Sequence, residues 1–103
     1  MRGHAGMLRI EAVERLKAHR SALYAMGIEH VAVFGSTARD EASPGSDLDL
    51  AVRLRPDVRL GWDFFTLNER VATLMGVAVD IVTEPVDRPR LQAEIDRDRV
   101  DAF

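Results

Sequence analysis

Cysteine is absent from this 103-residue chain, which removes disulfide frameworks, thiolate catalysis and Cys-ligated zinc together. Aromatic residues make up only 6% of it, and no apolar run approaches the roughly 20 residues of a membrane span. An excess of positive charge is missing as well. The 14 Lys and Arg are outnumbered by 17 Asp and Glu, for a formal net charge of -3, which disfavours a protein whose main task is to coat a polyphosphate backbone. The opening residues 1–6 carry no apolar stretch of the kind a secretory signal needs. The expected location is therefore cytoplasmic, with neither a membrane nor a nucleic acid as direct partner.

What remains is ordinary globular composition, 47% hydrophobic and 30% charged, in a length that accommodates one small domain over residues 1–103 and no second core. From about residue 8 to residue 26, Ile10, Val13, Leu16, Leu23 and Tyr24 share one side of a helical wheel, and Gly27 supplies the stop. The apolar, β-branched run Val31-Ala32-Val33-Phe34 predicts a buried strand closed by Gly35, and residues 36–41 suit a short helix. Residues 42–46 are dense in turn formers and read as a loop. Residues 47–54 then alternate polar and apolar side chains, as a strand with one buried face does. Phe64, Leu67, Val71, Leu74 and Met75 predict a helix over about 61–75 that Gly76 ends, and residues 77–82 form a third strand, apolar except for Asp80. The Arg/Asp-rich segment 85–101 reads as a short, exposed terminal helix. The order predicts an α/β domain, a mixed sheet of three to four strands flanked by helices.

The chemistry is concentrated in acids. Residues two apart on a strand point to the same face, so Asp47 and Asp49 project side by side while Leu48 and Leu50 enter the core. Two carboxylates held this close repel unless something cationic lies between them. All-oxygen ligation without His or Cys suits magnesium or manganese better than zinc. Asp80, inside the most apolar strand, needs a partner. That partner is either an arginine or, if the third strand lies beside the second, the other two acids in a cluster of the kind a two-metal site requires. The site is expected at the N-terminal end of the second strand, unlike a doubly wound sheet, where ligands collect at carboxyl ends.

Gly35-Ser36 follows the first strand directly. Free backbone N–H groups there, with the Ser36 hydroxyl, suit a phosphate, although an ordinary strand-to-helix turn has the same residues.

Gly35-Ser36-Thr37-Ala38-Arg39 followed by Ser46-Asp47-Leu48-Asp49-Leu50 resembles the signature of the DNA polymerase beta-type nucleotidyltransferase superfamily. The short length resembles its minimal members, of the MntA antitoxin type. The resemblance spans about residues 31–82. It implies a mixed sheet that binds ATP through two magnesium ions, with Asp47, Asp49 and Asp80 as metal ligands and catalytic residues. Gly35, Ser36, Arg39 and Ser46 would hold the nucleotide. The implied reaction is attack of an acceptor oxygen on the α-phosphorus with loss of pyrophosphate. Minimal members typically silence a HEPN-domain ribonuclease toxin, in characterised cases by adding AMP to a tyrosine. The resemblance thus implies the antitoxin of a type VII toxin-antitoxin system, a protein adenylyltransferase in a hetero-oligomer with its toxin. Neutralisation by contact alone, and transfer to a small molecule, are the alternatives. Asp40 departs from the pattern, which commonly has glycine there. Aspartate tolerates the left-handed conformation better than most residues, but a fourth acid near the metals could alter their preference. Arg39 either faces the phosphates or pairs with a neighbouring acid. His4, His19 and His30 have no ligand spacing. Trp62 and Phe65 fall off the main apolar stripe and are the candidates for a partner-binding patch.

Overall fold

The computed structural model describes residues 6–58 and 64–103; His4, Trp62 and the first three residues of the 61–75 helix lie outside them. The first helical stretch is two helices, α1 (Arg9–Ala18) and α2 (Arg20–Ala25), broken at His19. Ala12, Val13, Leu16 and Leu23 are buried, whereas Ile10 and Tyr24, expected on the apolar stripe, are 62% and 50% exposed. Tyr24 instead presents its ring to the Arg55 guanidinium, 4.7 Å from the centroid.

Strand β1 (Ile28–Phe34) leads into the single turn α3 (Gly35–Ala38), and β2 (Leu48–Leu54) returns antiparallel to β1. Helix α4 (Phe64–Met75) crosses over to β3 (Val79–Thr83), which pairs with β2 in parallel. Arg15 reaches from α1 to the end of α4, donating from Nη1 to the Met75 carbonyl at 2.6 Å, where a cation meets the negative end of the helix. Helix α5 (Pro89–Asp98) is followed by β4 (Val100–Asp101), which pairs antiparallel with β1. The sheet order is β3-β2-β1-β4.

Strand alternation assigns the two faces. Val31, Val33, Leu48, Leu50, Val52, Val79 and Ile81 form one core with α1, α2 and α4. On the opposite face Phe34 and Ala51 pack against Ile95 of α5, which is fully buried. The terminal segment is therefore a structural layer and not only an exposed helix. Complete burial of an isoleucine is worth about 2 kcal/mol, and β4 adds a strand that a two-residue run among Arg and Asp does not announce.

Candidate active site

Because β1 runs antiparallel to β2 and β3 runs parallel to it, the C-terminal end of β1 meets the N-terminal ends of β2 and β3 at one edge. The register puts Phe34 opposite Asp49, and Asp49 opposite Asp80. Asp47 precedes β2 by one residue. The expectation that β3 lies beside β2 and delivers Asp80 to Asp49 is met. The reason given for it is corrected: Asp80 is exposed, since β3 is an edge strand whose Val79 and Ile81 face the core while Asp80 points to the other side.

Asp49 is the strained member of the set. Its carboxyl is pushed up from the ordinary 3.8 to about 6, first by burial, then by the charges of Asp80 and Asp47, with Arg39 opposing. Among the described residues no three His, Asp or Glu side chains converge closely enough to hold one ion as they stand. The donor chemistry nevertheless fits a hard divalent cation. The ligands are all oxygen, and the half-buried Asp49 carries a charge that its surroundings resist until a cation neutralises it.

Gly35 lies against that carboxylate. Its φ of +73° belongs to the left-handed region, and a Cβ there would collide with Asp49 Oδ2 and stand 3.1 Å from Cγ. Only glycine lets the β1–α3 turn press against the acid, so the glycine expected from phosphate chemistry is fixed here by sterics as well. Ser36 follows it on the wall of the same open groove of about 310 Å³, whose lining also includes Phe34, Arg39, Asp49 and, from α5, Glu94, Arg97 and Asp98. A larger depression of about 410 Å³ near Glu84 and Arg99 shares no residue with these.

Arg39 lines the groove and is also ion-paired. Its Nε donates to Glu41 at 2.9 Å and its Nη1 to Asp98 at 2.5 Å, so the pairing with a neighbouring acid is met. Ser46 shapes the loop before Asp47: its Oγ accepts from the Ser43 amide at 3.0 Å and lies 2.9 Å from Ser43 Oγ. Asp40 does adopt the left-handed conformation, with φ 58°. Its carboxylate turns to α1, accepting the Arg9 amide at 2.6 Å, and so is not a fourth acid of the site. Glu94, Arg97 and Asp98 escaped the sequence reading because their segment gives only a run of mixed charge. Exposed His30 makes a 3.8 Å contact with Glu29.

Comparison with known proteins gives the same answer as the geometry. A family model described as nucleotidyltransferase domain matches residues 11–101. The chain is 37% identical over 78 residues to the protein adenylyltransferase MntA of Thermococcus cleftensis, covering 74% of this chain and 78% of that one. A solved structure named as a minimal nucleotidyltransferase superposes with a TM-score of 0.64 at 39% identity, over 85% of this chain and 93% of that one. A toxin-antitoxin structure with AMP-PNP has the same fold, with a TM-score of 0.69 at 18% identity over 84% and 72% of the two chains. No helix among the described residues is long and apolar enough to cross a membrane. An edge acid in register with a second, a glycine that admits the first, and a family match over nearly the whole length agree: the chain belongs to the nucleotidyltransferase domain family and is a nucleotidyltransferase of its minimal, MntA-like kind.

Proposed function

We propose that this chain is a magnesium-dependent protein adenylyltransferase that moves AMP from ATP to a tyrosine of a HEPN-type ribonuclease toxin and so serves as its antitoxin in the cytoplasm. The observation that carries the reading is the register of Asp49 and Asp80 on adjoining strands, with Gly35 pressed against Asp49. Asp47, Asp49 and Asp80 would hold two magnesium ions. When bound, these neutralise phosphate charge and make the acceptor hydroxyl more acidic. Gly35 and Ser36 hold the triphosphate from the β1–α3 turn, with Arg39 beside them, and Ser46 acts through the loop that sets Asp47. The acceptor oxygen bonds to the α-phosphorus as the bond to the bridging oxygen breaks. Pyrophosphate departs and the hydroxyl proton passes to the exposed Asp80 carboxylate.

The Thermococcus cleftensis relative is named a protein adenylyltransferase, and one structure of the same fold is a tri-AMPylated Shewanella oneidensis HEPN toxin in complex with its MNT antitoxin. The test is neutralisation of the toxin's ribonuclease activity by wild-type protein and by Asp47→Asn plus Asp49→Asn. A catalyst loses neutralisation in the double variant. Undiminished neutralisation would establish inhibition by contact and sink the catalytic account.

A further inference from the structure

Helix α5 supplies a second guanidinium to the groove. Glu94, Arg97 and Asp98 are spaced i, i+3 and i+4, so they share the helix face that looks onto Asp49 and Ser36. The Asp98 side chain is only 6% exposed and accepts from two arginines: Arg39 Nη1 at 2.5 Å on one side, and Arg97 Nε at 3.1 Å and Nη2 at 3.3 Å on the other. Two guanidinium groups would ordinarily spread apart. A nearly buried carboxylate between them holds them on one wall, while 41% of the Arg39 side chain and 65% of the Arg97 side chain stay exposed. Each guanidinium has five N–H donors, so the bonds to Glu41 and Asp98 leave others for a further acceptor.

The remaining charges lining the groove are the carboxylates of Asp49 and Glu94, which repel an anion. A phosphate chain entering beside Gly35 and Ser36 is therefore drawn to the arginine wall, where forked donors match its oxygens. We infer that Arg97 is a nucleotide-binding residue that acts with Arg39 as a paired clamp on the phosphate chain, and that Asp98 is the positioning residue that holds both. This rests on the reading of the groove as the nucleotide site.

The test is equilibrium binding of ATP and of AMP, with magnesium present, to the full chain and to Arg97→Ala, Arg97→Lys and Asp98→Asn. Loss of one charge-assisted phosphate contact weakens binding about tenfold. Arg97→Ala is expected to lose about that much for ATP and less than about threefold for AMP, with Arg97→Lys falling between because it keeps charge but not the fork. Asp98→Asn should weaken ATP in the same selective way, whereas a merely structural defect would weaken both nucleotides alike. Unchanged ATP binding by Arg97→Ala, or equal losses for ATP and AMP, overturns the inference. Failure of the wild-type chain to bind ATP overturns the reading of the groove itself, and is told apart by that control.

Discussion

Replacing Asp49 with asparagine should make the metal-free protein more stable while it abolishes transfer. At neutral pH the folded chain holds an ionised carboxylate whose surroundings favour the protonated form up to about pH 6. Burial, Asp80 and Asp47 are the causes, in that order. The distance from 3.8 to about 6 would be worth about 3 kcal/mol at full strength. Screening at this half-exposed position reduces it to about 1–1.5 kcal/mol. For a domain of this size that corresponds to a rise in Tm of about 5–10 °C for Asp49→Asn in EDTA at pH 7.5. The pH dependence has a definite sign. Between the unfolded and folded values the native state keeps a proton that the unfolded chain has lost, so wild-type stability falls as pH rises through about 6. The gap between wild type and variant should therefore narrow by about half on moving from pH 7.5 to pH 5. Magnesium or manganese should raise the wild-type Tm and leave the variant nearly unmoved. Thermal unfolding followed by circular dichroism reads all of these. A variant that is no more stable than wild type at pH 7.5, or a gap that does not shrink at pH 5, refutes the claim that the site stores unfavourable charge awaiting a cation.

Other substitutions test separate parts of the account. Gly35→Ala should cost about 1–3 kcal/mol from the left-handed backbone alone and displace Asp49, losing transfer, whereas Gly45→Ala, with open space around it, should be neutral in urea unfolding. Asp40→Ala should destabilise by about 1–2 kcal/mol, since it forces alanine to φ 58° and removes the acceptor of the Arg9 amide, yet leave the rate of transfer unchanged. Glu84→Gln should cost about 2 kcal/mol at pH 7, because Arg99 donates to both Glu84 oxygens at 2.6 and 3.0 Å. The Arg99 hydrogen bonds hold the Glu84 carboxyl below its usual 4.5, so that stabilisation is present above pH 4.5 and fades as pH falls through the lowered value, which acid titration of both proteins would follow.

The site's acids were legible because alternation on an eight-residue strand leaves Asp47 and Asp49 little freedom in which face they occupy, and the lone acid of the next strand followed from pairing. The structure preserved that pairing and changed its reason: an apolar run looks buried from its composition, but Asp80 lies on the exposed side of an edge strand. Ile10 and Tyr24 fall at the edge of the apolar side of the wheel, whereas the stripe that is buried is narrower and centred on Ala12, Leu16 and Leu23. The wall contributed by α5 could not be read, since the link between Arg39 and Asp98 joins residues 59 positions apart and leaves no local pattern. For the same reason Ile95 reads from the sequence as part of an exposed helix, although Phe34 and Ala51 close over it. Phe65 is 70% exposed, as its place off the stripe implies.

The most direct test of nucleotidyl transfer through Asp47, Asp49 and Asp80 is incubation of the protein with magnesium, α-phosphate-labelled ATP and the HEPN toxin, followed by mass spectrometry of the toxin. The account requires AMP on a toxin tyrosine with wild-type protein and none with the Asp47→Asn, Asp49→Asn double variant. A toxin that is silenced but carries no label, or one labelled equally by the double variant, contradicts it.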